Sequence, residues 1–215
     1  MPKAMSHLFA AENILNKNII KIDNVSQYYL GSLSPDAEYS GNDPNRNHKN
    51  ITHLYGNYKR ENSDFFINNW KNNIKNFYHE HNSGGDHDFL LGYCLHIMCD
   101  VHYYKYTRSP FESVYGKEND KIFQDESFIV DYEIFQKEYS DQKILSLLGK
   151  SKEFDFLDII SKDEMAKLKN DIANVVYKDR KPANSCNNEY VTYEKTTNQN
   201  NEMIKYIIDE FVKTL

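Results

Sequence analysis

Residues 89–104 read FLLGYCLHIMCDVHYY. The run is mostly apolar and carries His96 and Asp100 four residues apart. Four residues turn an α-helix through about 400°, so the two side chains stand one turn apart on nearly one face. Leu, Ile, Cys, Met and Tyr surround them, which reads as a central helix with little exposed surface. A carboxylate there needs a partner, because an unpaired buried charge is costly. Imidazole and carboxylate both bind first-row metals, and bundles build metal sites from such pairs on facing helices. The same pair can also be a hydrogen-bonded core contact. Ligand-type residues elsewhere in the chain have to decide between these readings.

Working outward, residues 5–17 give a first helix, with Ser6 as N-cap and Leu8, Ala11, Ile14 and Leu15 as its apolar stripe. Val25–Leu30 gives a short helix that Gly31 ends. Pro35 suits the first turn of a new helix, and Asp36 beside it either caps that helix or ligates a metal. Residues 40–50 are a polar loop in which His48 is exposed. His53 lies among Ile51, Leu54 and Tyr55, which implies burial and a partner for each ring nitrogen. Residues 63–81 form a helix with Phe66, Trp70, Ile74 and Phe77 on its core face, and Asp86 or Asp88 caps the central helix. Arg108-Ser109-Pro110 breaks the helical pattern. Residues 126–149 read as one helix with Phe128, Tyr132 and Phe135 on one face. Helices at about 162–178 and 200–215 flank a polar loop, 181–199, whose Tyr190–Tyr193 stretch is extended. Strand signals are scarce, so the expectation is an all-α fold. It is a single domain over residues 1–215, a multi-helix bundle around a buried central helix.

The formal net charge is −6 and the sequence pI about 5.8. That balance argues against nucleic acid as a stable partner and against general attraction to anionic membranes. Three cysteines, Cys94, Cys99 and Cys186, suit a reducing, cytoplasmic setting. No run reaches the ~18–20 apolar residues of a transmembrane helix. The N-terminal MPKAMSHLFAAENIL is amphipathic rather than a secretory signal.

In chain order the ligand-type residues are His7, Asp36, His53, His96 and Asp100. They sit in SHLFAAENIL, GSLSPD, THLYG and GYCLHIMCD. The order and contexts of these pieces resemble the zinc-dependent phospholipase C family, and are similar to the related single-strand-specific zinc nucleases, which share that all-helical fold. The resemblance implies a cluster of up to three zinc ions. Asp36, His53, His96 and Asp100 would surround one ion, Asp100 would bridge to a second, and His7 would ligate that second ion. It implies phosphoester hydrolysis too: paired dications lower the pKa of a shared water, and the resulting metal-bound hydroxide attacks phosphorus. Asp100 and Asp36 would then be the catalytic carboxylates, and the substrate a small phosphoester or a phospholipid headgroup.

The chain departs from the family's pattern in two places. Secreted members use an N-terminal Trp as a ligand, whereas the only Trp here is Trp70. The family's later His-x-x-x-Glu or His-x-x-x-Asp is missing, since no His follows His102. On a continuous helix His102 points about 200° from Asp100, which leaves Asp131 or Glu133 as a substitute ligand. One or two ions are therefore expected rather than three. The smaller histidine complement widens the choice from zinc to iron, manganese or magnesium. Two other functions fit parts of the pattern. An HD-type phosphohydrolase would use His53, His87, Asp88 and Asp131. A non-catalytic helical scaffold would retain a degenerate metal site and offer Tyr103, Tyr104, Tyr106 and Tyr115 as a binding surface.

Overall fold

The computed structural model describes residues 2–40, 49–56, 61–177 and 188–215. Among them there is one isolated antiparallel bridge, Phe156 to Ile160, and no strand. The fold is all-α. In order come α1 (Ala4–Asn16), α2 (Val25–Gly31), a 3₁₀ segment Ser34–Ser40, α3 (Lys49–Thr52), α4 (Asp64–His81) and α5 (His87–Tyr103). A π segment, Tyr104–Arg108, leads into α6 (Ser109–Tyr115), followed by α7 (Asp120–Glu138), α8 (Lys143–Gly149) and α9 (Lys162–Asn170). A second π segment, Asp171–Val176, and α10 (Tyr193–Glu210) complete the main elements.

Helix α5 is enclosed on every side, with each residue from Phe89 to His102 buried. It packs against α1, α2, α4 and α10. The contact with α2 is the tightest, and two glycines allow it. A Cβ on Gly31 would sit 2.0 Å from the Phe89 carbonyl oxygen, and one on Gly92 would sit 2.1 Å from that of Tyr28. Neither position has room for any side chain, so the two backbones touch. Gly31 therefore does more than end α2: it lets the chain that follows α2 reach the middle of α5.

Several sequence expectations shift. Helix α1 begins one residue earlier, with Lys3 at the cap position. Ser6 lies inside the helix, where its Oγ accepts from Asn200 Nδ2 at 3.3 Å. Asp86 stands at the α5 cap position without a side-chain cap bond. Asp88 instead accepts the backbone N–H groups of Asp23 and Asn24, at 3.0 and 2.5 Å, and so holds the start of α2. Pro110 does not stop the helix. It falls in the first turn of α6, after the π turn has already opened the hydrogen-bond ladder.

The expected helix over 126–149 is two helices, divided near Gln142, whose φ of 55° is left-handed. The buried face of α7 is Phe123, Glu126, Val130, Asp131, Ile134 and Phe135, while Phe128 is exposed. The sequence pattern picked a different face because two of the buried residues are acids, which ordinarily mark solvent. Helix α10 starts at Tyr193, capped by Thr192 accepting the Lys195 N–H at 3.2 Å, so 193–199 are helix rather than loop. His48 and Cys186 lie outside the described residues. Of the four tyrosines, Tyr106 and Tyr115 are about half exposed and Tyr104 is buried.

Candidate metal centre

His7, Asp36, His53, His96 and Asp100 come together from four elements. Helix α1 supplies His7 in its first turn, and α5 supplies His96 and Asp100 from its centre. Asp36 stands in the first turn of the 3₁₀ segment, placed there by the glycine contact between α2 and α5. His53 follows α3 on a segment fixed from several sides. The Trp70 indole N–H donates to the His53 carbonyl at 2.6 Å, Asn73 Nδ2 donates to the Leu54 carbonyl at 3.0 Å, and the Tyr93 hydroxyl donates to the Thr52 carbonyl at 2.5 Å. These anchors hold Leu54 at a left-handed φ of 57°. Trp70 reads from sequence as core alone, and nothing in the pattern marks Asn73 or Tyr93 as supports.

The ring orientations are set by what lies behind them. His96 Nδ1 is 2.9 Å from the Ser32 carbonyl oxygen. That oxygen only accepts, so Nδ1 carries the proton and Nε2 keeps its lone pair for the centre. His53 Nδ1 is 2.8 Å from Thr52 Oγ1, leaving its Nε2 likewise inward. The His7 and His96 rings stack, with centroids 3.7 Å apart and planes 5° from parallel.

His53 Nε2 lies 3.2 Å from Asp36 Oδ1 and 3.3 Å from Asp100 Oδ2. His7 Nε2 lies 3.8 Å from Asp100 Oδ1, and His96 Nε2 lies 3.8 Å from Asp36 Oδ2. Four ligands at about 2.0–2.1 Å around a tetrahedral zinc stand roughly 3.3 Å from one another, so these separations are close to those of atoms sharing a cation. Two groups form in this way: His7, His96 and Asp100, and Asp36, His53 and His96, each with ligand atoms within 4.8 Å of one another.

The surroundings do not satisfy these atoms. Both ring nitrogens of His7, Nε2 of His53 and His96, Asp36 Oδ1 and both oxygens of Asp100 are buried, with no hydrogen-bond partner among the described residues. Native cores seldom leave so many polar atoms unpaired in one place. Burial lowers His7 to about 3, reinforced by His96, and lowers His53 as well, so both rings stay neutral and free to ligate. Burial by itself would raise Asp36 and Asp100. The positive field that a proton on the adjoining imidazoles adds, together with that of Lys49, outweighs it and holds both carboxyls below their ordinary range. Three imidazoles and two carboxylates are a donor set that suits zinc and would also take iron or manganese.

The other residues weighed as ligands lie elsewhere. His102 is buried against Tyr106 and Tyr206, with centroids 4.8 and 5.2 Å away, and burial lowers it to about 4. The helix runs straight past Asp100, which keeps His102 off the face it would need. Asp131 accepts the Met5 N–H at 3.0 Å and the Tyr177 hydroxyl at 2.5 Å, and Glu133 pairs with Lys137 at 2.7 Å. Neither substitutes for a missing ligand. The HD-type set is not assembled either, because His87 Nε2 meets the Tyr78 hydroxyl at 2.8 Å and Asp88 holds α2.

A cavity of about 730 Å³ opens beside the centre, and Asp36 is the one cluster residue in its lining. The Asp36 side chain is 26% exposed toward solvent, whereas those of His7, His53, His96 and Asp100 are at most 1% exposed. A family model described as zinc-dependent phospholipase C matches residues 1–211. No curated protein and no solved structure matches.

Proposed function

The chain belongs to the zinc-dependent phospholipase C family, and from that premise we propose that it hydrolyses a phosphoester at the His/Asp centre. The observation that carries this reading is the set of buried, unpartnered ligand atoms at cation-sharing distances beside an open cavity. Bound zinc supplies an acidified water and charge stabilisation at phosphorus.

The residues divide the remaining tasks. His96 and His53, aimed by Ser32 and Thr52, and His7, stacked on His96, would hold the metal. Asp100 lies between His7 and His53, at 3.8 and 3.3 Å, and would hold the metal there with its two oxygens. Asp36 closes the centre on the cavity side, so substrate phosphate arrives past it and the four enclosed ligands stay dry. A phospholipid headgroup is the substrate class that the family name carries. No helix of the described residues is long and apolar enough to cross a membrane. Cys94 and Cys99 are buried free thiols, which suits a reducing compartment such as the cytoplasm.

Elemental analysis tests the centre, on protein purified without chelator or affinity-tag metal. One or two equivalents of zinc are expected in the native protein and none in the His96→Ala, Asp100→Ala double variant. Hydrolysis of bis(p-nitrophenyl) phosphate should follow the metal. A native protein that neither contains nor takes up zinc would sink the proposal and leave a helical scaffold in its place.

A further inference from the structure

The cavity in front of Asp36 has its own charge pattern. Four cations, Lys3, Lys49, Arg108 and Lys117, share its lining with Asp36, Glu112, Asp131 and Asp171. Three of the acids are engaged. Asp36 belongs to the centre, Glu112 accepts from Arg108 Nε at 2.8 Å, and Asp131 is bonded to Met5 N–H and the Tyr177 hydroxyl.

Lys3 and Arg108 each keep donor capacity beyond the bonds they make. Lys3 Nζ donates to the neutral amide oxygen of Gln124 at 3.0 Å, and no carboxylate pairs with it among the described residues. The acids whose fields reach it include Asp131 and Asp36. Arg108 is 9% exposed. Glu112 and Asp120 fix two of its nitrogens, and its Cζ lies 5.5 Å from the centre of the Phe123 ring. Its Nη1 is buried and has no partner among the described residues. A buried guanidinium nitrogen in that state is a donor awaiting an acceptor.

The π segment explains why Arg108 faces this cavity. A regular α-helix would carry Arg108 roughly 80° round from Asp100. A π turn advances less per residue and takes back much of that drift. Tyr104 and Arg108 thus stay near the helix face that carries Asp100, and both line the cavity.

The aromatic residues point the same way. A quaternary ammonium group needs an uncovered ring face. Lys3 Nζ already lies 5.1 Å from the centre of the Phe128 ring, and the Tyr177 ring packs against Tyr132 and Phe135 with centroids 6.5 and 4.9 Å away. A cation of the protein itself thus already stands over the Phe128 ring of the cavity.

We propose that this cavity selects a phosphoester carrying a second negative group, with the reacting phosphate at the His/Asp centre and Lys3 and Arg108 reading the second charge. The proposal rests on the hydrolase reading above and names its substrate class. Lys3 makes no side-chain cap bond to α1, so Lys3→Gln removes the charge without removing a cap. Arg108→Gln is the second variant, and its deeper burial makes the Lys3 variant the safer of the two.

The test is calorimetric titration of the zinc-loaded full chain with 3-phosphoglycerate and with phosphocholine, which share a phosphate and differ in the sign of the other group. The expected result is at least about tenfold tighter binding of 3-phosphoglycerate, the scale of one charge-assisted contact. Either variant should reduce that preference and leave phosphocholine binding within about twofold. A second arm sediments the protein with phosphatidylcholine vesicles, with and without phosphatidylinositol 4-phosphate. Selective binding to the doped vesicles assigns the ester to a lipid. Binding of 3-phosphoglycerate alone assigns it to a soluble metabolite, and both outcomes support the charge preference. Phosphocholine bound as tightly as 3-phosphoglycerate, or a preference that survives both variants, overturns the inference and leaves the hydrolase reading standing. Zinc uptake followed by binding of neither ligand overturns both, as does a protein that takes up no zinc.

Discussion

Two pairs of acids withdrawn from bulk solvent are held in opposite ways. Asp36 and Asp100 meet histidines at 3.2–3.8 Å, with Asp36 Oδ1 and both Asp100 oxygens unbonded among the described residues. On α7 both carboxylates are bonded. Glu126 accepts the N–H groups of Glu189, Tyr190 and Val191 at 2.7, 2.8 and 2.8 Å. Asp131 accepts from Met5 and Tyr177. Residue type does not separate the two pairs, and Asp100 is as buried as Glu126 and Asp131; their partners separate them. A carboxylate saturated by donors has nothing left to offer a cation, and one surrounded by imidazole lone pairs has no other use for its own.

Three perturbations press on this contrast. The largest effect is expected from Gly92→Ala. Its new Cβ would lie 2.1 Å from the Tyr28 carbonyl oxygen, so α2 has to move off α5. The cost should be about 3 kcal/mol or more in urea unfolding. Displacing the Ser32 carbonyl from His96 should also weaken zinc by about 10–100-fold. Unchanged zinc affinity in a folded Gly92→Ala protein would show that the helix contact does not set the centre.

Glu126→Ala comes next. It strands three N–H groups and should cost about 3 kcal/mol, yet zinc affinity should stay within about twofold of native. If zinc were lost in step with stability, the division between supporting and ligating acids would fail.

The smallest effect is a pH dependence. Burial raises Asp131 to about 6, against the opposing pull of Tyr177, Met5 and Lys3. The folded value lies above the unfolded one, so its stabilising contribution is complete below about pH 4 and is lost as pH rises through about 6. Asn satisfies the same two partners without titrating. Measured on metal-free protein, stability relative to Asp131→Asn should fall by up to about 3 kcal/mol between roughly pH 4 and 7. A difference that grows with pH would mean that Asp131 is ionised and stabilised in place.

Much of the candidate centre was legible because its residues sit in short contexts with strong local constraints. His96 and Asp100 share a helix face by spacing alone. Asp36 follows a proline that opens a turn, and His53 is flanked by apolar neighbours that imply burial. The misreadings cluster where burial contradicts composition. Glu126 and Asp131 are acids on a core face, so the α7 pattern pointed elsewhere. The π turn at Tyr104–Arg108 carried the helix past a proline that normally marks a boundary.

The sequence alone determined the helical class and the enclosed central helix, because helical periodicity is a local property, and the motifs of the family resemblance singled out His7, Asp36, His53, His96 and Asp100 as ligand candidates. Tertiary structure decided which acids remain unpaired, how Ser32, Thr52 and Trp70 aim the rings, and which cations share the cavity with Asp36. Those depend on backbones meeting at Gly31 and Gly92, a contact between residues far apart in the chain that no local pattern encodes.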